Sequence, residues 1–386
     1  MRALLFWRRG KRWPEGRSAW MHVVNLVPAL SKSANPLLRS GFPASSRSMR
    51  IYPLLRPLLF TLPPEQAHAF ALAALQRAHS LSLIRDPAAD PRSAVTLLGL
   101  RFPNRVGLAA GFDKNARYID ALGALGFGFV EVGTVTSRAQ PGQPHPRLFR
   151  VSAAHALINR MGFPNEGAAA VAARLSRRRF AGVCGVNIGK NAATPLAAAV
   201  DDYLECFRIV APHADYVAIN VSSPNTEGLR QLQEPDQLQP IVSAVIEARR
   251  ELHATTGRRV PVLVKVSPDL APAELVSSAR LACEQGIDGI IATNTTLNRS
   301  GVAQRWRSQA GGLSGGPLRT LALQAVQLLR AALGSGVPIV AAGGIMSARH
   351  AQDALAAGAD LVQVYTGLIY RGPRLVQEIA QATEPG

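Results

Sequence analysis

Acidic residues are in short supply in this 386-residue chain: 25 Asp and Glu face 43 Lys and Arg, for a formal charge of +18. The imbalance favours an anionic partner such as nucleic acid or a membrane surface, although an Arg- and Ala-rich composition can also arise without a functional cause. Cysteine is scarce as well. Cys184, Cys206 and Cys283 lie far apart in apolar or helical surroundings, which argues against a disulfide framework or a cysteine metal cluster and suits reduced, buried thiols. No apolar run approaches the roughly 20 residues of a spanning helix, so the chain is not expected to be integral to a membrane. Nucleotide-binding fingerprints are missing too. No Gly-x-Gly-x-x-Gly follows a strand, and Gly185 to Lys190 lacks both the Walker spacing and the Ser/Thr after the lysine. Metal-ligand spacings and a Ser-His-Asp arrangement are also not apparent.

What charge there is sits unevenly. Residues 1–48 carry Arg2, Arg8, Arg9, Lys11, Arg12, Arg17, Lys32, Arg39 and Arg47 against Glu15 alone, so this stretch holds +8 of the +18. It mixes tryptophan with Ser and Pro and shows no sustained period. A transit peptide, a membrane-surface tail, or a disordered tail or translated leader ahead of a start at Met49 all fit; organised pattern begins only at Met49, which favours the last. From 49 to 84 two short apolar helices with basic flanks are expected, the second starting at Pro63-Pro64-Glu65. They either cap a larger domain or lie in a bilayer interface and take up a lipophilic ligand. An Asp- and Pro-rich linker, Arg85 to Arg92, follows.

Residues 93–386 alternate β-branched apolar runs with amphipathic helical stretches. Strands are expected near 105–109, 128–133, 182–188, 216–220, 261–266, 289–293, 338–342 and 360–365. Eight βα units match a closed (β/α)8 TIM barrel, with a doubly wound open sheet as the alternative. In a barrel the strand carboxyl ends share one rim, and here that rim is densely polar. The fourth strand, for example, ends in Asn-Val-Ser-Ser-Pro-Asn (220–225), a polar turn or a ligand site when read alone. Glycines after the seventh and eighth strands, the helix start at Ser347 and the 311–316 glycine loop match a barrel phosphate site.

Eight segments go further: Ala-Ala-Gly-Phe-Asp-Lys (109–114), Glu-Val-Gly-Thr-Val-Thr (131–136), Pro-Arg-Leu-Phe-Arg (146–150), Asn-Arg-Met-Gly-Phe (159–163), Asn-Ile-Gly-Lys-Asn (187–191), Asn-Val-Ser-Ser-Pro-Asn-Thr (220–226), Ala-Thr-Asn-Thr-Thr (292–296) and Gly-Gly-Leu-Ser-Gly (311–315). In this order they closely resemble the dihydroorotate dehydrogenases, flavin enzymes of pyrimidine synthesis. Ser223 stands where soluble class 1 members carry a catalytic Cys, so the chain resembles the class 2, quinone-dependent form, and the N-terminal helical unit agrees.

The resemblance implies an FMN site formed by Ala110, Gly111, Phe112, Asp113, Lys114, Thr134, Asn187, Asn220, Lys265, Thr293, Gly315, Gly344, Tyr365 and Thr366. It implies a dihydroorotate/orotate site formed by Lys114, Asn159, Arg160, Met161, Gly162, Phe163, Asn220, Asn225, Asn294 and Thr295. Amides that donate and accept, beside a cation, suit a planar imide carboxylate. Ser223 is expected as catalytic base, with Thr136 as one candidate for passing its proton on. His68 and Arg150 are expected at a ubiquinone-type acceptor, against the simpler reading of His68 as a helix-surface residue. The expected setting is a monomer, peripheral on the cytoplasmic face of a bacterial inner membrane, or alternatively on the mitochondrial inner membrane, with no metal and no nucleic acid. A sugar-phosphate lyase or isomerase and a non-catalytic basic binding module are the other classes to be distinguished.

Overall fold

The computed structural model describes residues 52–84 and 90–384. The expectation for the basic stretch 1–48, the first residues of the helical unit and most of the Asp/Pro linker lie outside the described residues. Two helices come first, α1 (Tyr52–Thr61) and α2 (Pro64–Ser80). Pro64 occupies the first turn of α2, where its missing N–H costs nothing and its fixed φ favours the helix, and Glu65 complements the dipole there. A hairpin follows, β1 (Val95–Leu97) and β2 (Leu100–Phe102), and then the alternating body of the chain. In order this comprises β3 (Val106–Leu108), α3 (Ile119–Gly123), β4 (Phe129–Val135), β5 (Leu148–Val151), β6 (Ala156–Asn159), α4 (Ala168–Leu175), β7 (Val183–Ile188), α5 (Ala199–Val210), β8 (Tyr216–Asn220) and α6 (Pro235–Thr256). It continues with β9 (Val262–Val266), α7 (Pro272–Glu284), β10 (Gly289–Ala292), β11 (Gly312–Gly315), α8 (Arg319–Leu333), β12 (Ile339–Ala342), α9 (Ala348–Ala356), β13 (Leu361–Val364), α10 (Thr366–Arg371) and α11 (Arg374–Ala382).

Strands β3, β4, β7, β8, β9, β10, β12 and β13 close into a parallel barrel in chain order, β13 pairing with β3. Each is buried on both faces, which is why these segments read as nearly unbroken apolar runs. Alternate side chains face opposite ways. Val130, Val132, Val186, Ile219 and Val264 point outward to the helices, in the large core. Phe129, Val183, Tyr216, Leu263, Ile291, Val340 and Leu361 fill the interior, with the β1–β2 hairpin packed against them through Val95, Leu97 and Leu100. The closed barrel agrees with the sequence expectation and excludes the open sheet.

Two features were not anticipated. The connection after β4 holds an antiparallel pair, β5–β6, and the glycine loop at 311–316 supplies β11, which joins β6 in a three-stranded sheet (Leu313 opposite Ile158). Glycine and serine carry little strand propensity of their own; pairing with β6 orders this segment.

The helical pair α1–α2 is tied to this body by apolar packing of Leu72 and Leu75 in the main core and by polar contacts. Tyr52 and Arg56 donate to the carbonyls of Ile369 and Tyr370, at 2.5 and 2.7 Å, and Phe60 packs edge-on to Tyr370. Arg147 pairs with Glu65 at 3.0 Å. No residue of α1 is buried, and Leu54, Leu58, Leu81 and Leu83 are each more than half exposed. Among the described residues, Leu297 is the one large exposed hydrophobic outside this unit.

Candidate active site

A cleft of about 1020 Å³, solvent mouth included, opens at the carboxyl ends of the barrel strands. Parallel strands end here with their last carbonyls and following loops converging, so most of the strands deliver residues to the same space. Ala110, Gly111, Lys114, Thr134, Asn159, Met161, Gly162, Phe163, Asn220, Ser223, Asn225, Lys265, Thr293, Asn294, Thr295, Gly315, Gly344, Tyr365 and Thr366 all border it, as do Ser314 and Gly343 of the expected phosphate site and Met346 and Gln363, which were not singled out. Two lysines face the cleft and, among its described lining residues, no carboxylate does. The space is therefore built for an anion.

Amides and hydroxyls form the walls as one network. Asn220 donates to Thr134 Oγ1 and Asn187 Oδ1, both at 3.0 Å, while Thr134 donates to the same Asn187 oxygen at 2.6 Å. Asn294 donates to Asn220 Oδ1 (3.2 Å) and Ser222 Oγ (3.0 Å), and Asn225 donates to Asn159 Oδ1 (3.0 Å). Such mutual bonding fixes the rotamer of each amide, so its free donors and acceptors point one way before a ligand arrives. Lys114 Nζ donates to Gly111 O at 2.7 Å. Its burial, only partly offset by the Glu65 and Asp113 carboxylates, pushes its pKa down to about 8. Tyr365 donates to the same carbonyl at 3.3 Å, and burial raises its phenol to about 12, so it stays protonated.

At the far end the backbone itself forms the wall. Gly315 and Gly344 both have positive φ, and a Cβ at Gly344 would fall 2.4 Å from Arg319 Cα. Only glycine fits, leaving main-chain N–H groups free of side-chain cover beside the paired Ser314 and Thr366 hydroxyls, 2.8 Å apart. This is the surface a phosphate needs.

Ser223 is buried at the cleft wall, and its Oγ accepts from the Asn225 backbone N–H at 3.3 Å. Three residues on, the Thr226 hydroxyl is buried without a protein partner. Thr136 is otherwise occupied: it donates to Arg138 O at 2.6 Å and accepts from Asn165 and Asn191, which uses its full capacity.

Other anticipated residues lie beside the cleft. Arg160 turns outward, its guanidinium on the Pro146 carbonyl (2.8 Å), and contributes no charge to the site. Asp113 is buried and accepts from the backbone N–H groups of Asn115, Arg117 and Tyr118, shaping the loop after β3. Asn187 supports Thr134 and Asn220 from below. Phe112 stacks edge-on between His68 and Tyr365, with centroids at 4.9 and 5.3 Å. His68 is not a free helix-surface residue: its Nε2 meets Phe112 O at 2.9 Å, and burial, with Lys114 nearby, lowers its pKa to about 4. Arg150 donates to Phe60 O and Leu62 O, each at 3.0 Å, and lies over the Phe60 ring. It therefore anchors the end of α1 and the turn into α2.

Sequence reasoning missed one group entirely. Glu131, fully buried inside the barrel, accepts from Asn187 Nδ2 (3.0 Å), Tyr216 OH (2.8 Å) and Gln363 Nε2 (2.7 Å), and its Oε1 lies 3.7 Å from Lys265 Nζ. Tyr216 can lie across the interior because its partner in register on the adjacent strand β7 is Gly185, whose Cβ would fall 2.0 Å from the ring. The available signal was a charged or amide residue amid an apolar strand, Glu131 in β4 and Gln363 in β13.

Fold and site together define a barrel enzyme with a preorganised, cationic, amide-lined cleft for a planar anion, and a wall suited to phosphate. The family model for dihydroorotate dehydrogenase matches residues 92–384. A protein of Chromobacterium violaceum named dihydroorotate dehydrogenase (quinone) is 53% identical over 337 residues, covering 86% of this chain and 97% of that protein. One of the same name from Verminephrobacter eiseniae is 54% identical over 341 residues, covering 86% and 94%. The crystal structure of DHODH from Eimeria tenella in complex with ferulenol superposes with a TM-score of 0.77 at 37% identity, covering 84% of this chain and 93% of that one. The chain belongs to the dihydroorotate dehydrogenase family.

Proposed function

We propose that the chain oxidises (S)-dihydroorotate to orotate, a step of pyrimidine biosynthesis, and passes the electrons through bound FMN to a membrane quinone. One observation carries the site assignment: a rim cleft whose two charges are both lysines, whose walls are bonded amides, and whose end is a side-chain-free glycine cradle. That set matches the needs of a phosphorylated, planar cofactor and a carboxylate substrate together.

FMN fits the residues present. The glycines at 315, 343 and 344, where a Cβ would crowd neighbouring protein atoms, leave a wall of bare main chain that with the Ser314 and Thr366 hydroxyls suits the phosphate. Gln363 Oε1, buried without a partner, and the Lys265 ammonium offer an acceptor and a donor side by side, which suits an edge carrying both N–H and C=O. FMN supplies a hydride acceptor and an electron donor to quinone when bound. The remaining chemistry belongs to the chain. Lys114 holds the substrate carboxylate; Asn159, Asn220, Asn225 and Asn294 read the ring amides and hold C6 toward the cofactor. Ser223 takes the C5 proton as hydride leaves C6. A serine hydroxyl is a weak base, so the proton must pass on; the Thr226 hydroxyl, three residues along and buried without a protein partner, is our candidate for that relay.

Reoxidation is assigned to the side facing α1–α2. The exposed leucines of this unit would enter the surface of a bilayer, making the chain a peripheral protein of a bacterial inner membrane, and His68, Phe112 and Tyr365 form an aromatic run from α2 to the cleft. No helix among the described residues is long and apolar enough to span a membrane. The test is the purified protein itself. It should be yellow, release FMN on denaturation, and turn over dihydroorotate with a quinone but not with fumarate or NAD; a colourless protein that takes up no flavin refutes the proposal.

A further inference from the structure

Lys265 and Glu131 form a buried pair whose geometry is unusual for a salt bridge. Three neutral donors, from Asn187, Tyr216 and Gln363, already occupy the Glu131 carboxylate, and Lys265 stands off at 3.7 Å, beyond hydrogen-bond reach. Among the described residues the Lys265 Nζ makes no hydrogen bond, and it borders the cleft. The amine is thus left with its donors free toward the ligand while a fixed negative charge lies beneath it. Because Asn187 and Gln363 present N–H to the carboxyl, and lysine can only donate, the arrangement calls for an ionised Glu131.

We propose that Glu131 is a positioning residue: the counter-ion that keeps Lys265 protonated beneath the flavin in both of its redox states. The proposal rests on the FMN reading above. A lone ammonium in this interior would shed its proton, since burial disfavours the charged form unless an anion compensates. The titratable groups around it are few: Glu131 on β4, Tyr216 on β8 and Lys114 across the cleft. Burial together with Glu131 holds the Tyr216 phenol protonated. Ile291 and Asn220, its neighbours in register on β10 and β8, carry no charge.

The consequence is a proton count. With FMN bound, a hydride from substrate C6 would bring it two electrons and one proton and leave it anionic, while the C5 proton would leave through Ser223. With Lys265 already charged, reduction takes up one proton per two electrons. In Glu131→Gln, Lys265 would be neutral against oxidised flavin and would draw a second proton from solvent as the negative charge develops.

The midpoint potential of the bound flavin, measured between pH 7 and 9, reads this directly. A tenfold change in proton concentration moves a two-electron couple by about 30 mV per proton, so the slope should be about 30 mV per pH unit in the parent and about 59 mV in Glu131→Gln. A flavin-loaded Glu131→Gln protein that keeps the parent slope overturns the proposal. Should Glu131→Gln bind flavin poorly, a melting cycle of Glu131→Gln, Lys265→Met and the double variant without flavin decides the ion pair. The double variant should lose much less Tm than the two singles summed, and additive losses refute the pairing. A parent chain that takes up no FMN at all overturns the functional reading and the proposal with it.

Discussion

Orotate affinity should fall as pH rises through 8. Lys114 is the cation assigned to the substrate carboxylate, and burial lowers its pKa to about 8 in the free site. The sign follows from the charge: below pH 8 the lysine is an ammonium and attracts the anion, above it the amine is neutral and the attraction is lost. With a pKa near 8 the charged fraction drops from about nine-tenths at pH 7 to about one-tenth at pH 9, so the apparent Kd should rise about tenfold, or about 1.4 kcal/mol. Isothermal titration of orotate into the FMN-loaded protein at constant ionic strength measures this without the chemical step. In Lys114→Met the affinity should be weak and flat across the same range. An unchanged Kd from pH 7 to 9 in the parent, or the same inflection surviving in Lys114→Met, would refute the assignment.

Ser223→Ala should slow flavin reduction by dihydroorotate by about 10²–10⁴-fold in stopped flow while orotate still binds; near-parental reduction removes Ser223 from the role of base. Removing residues 49–83 should abolish quinone turnover but spare flavin reduction, and rapid quinone turnover by the truncated protein would exclude a route through α1–α2. Gly185→Ala would push a methyl into the Tyr216 ring and should cost about 1–3 kcal/mol of stability by overpacking, read as a lowered Tm; an unchanged Tm would mean that the barrel interior yields there. Native protein at pH 8 should resist alkylation at Cys184 and Cys206, both fully buried with their thiols pushed up, and react slowly at half-buried Cys283; rapid triple labelling without denaturant would contradict that burial.

Legibility differed sharply from one residue to the next. Asn220, Ser223 and Asn225 could be read as a cluster because a strand that stops in several polar side chains delivers them to one rim. Arg160 sits in an equally suggestive motif, yet its side chain folds back on the Pro146 carbonyl, a contact that depends on how β5 and β6 pair. Gly312–Gly315 reads as a loop by composition and becomes a strand because β6 offers it a partner. Arg150 illustrates a third case: it was expected at the quinone, and its donors go to the backbone carbonyls of Phe60 and Leu62, at and just beyond the end of α1.

Local chemistry alone determined the barrel count, the strand limits to within a residue or two, the absence of long apolar spans and the polar rim, since each follows from side-chain period and residue type over a few positions. Only the tertiary structure decided which rim residues face the cleft and that Glu131, Asn187, Tyr216 and Gln363 meet beneath Lys265. Those residues come from β4, β7, β8, β13 and β9. Barrel closure brings them together, and no local pattern in any one strand records its partners across the interior.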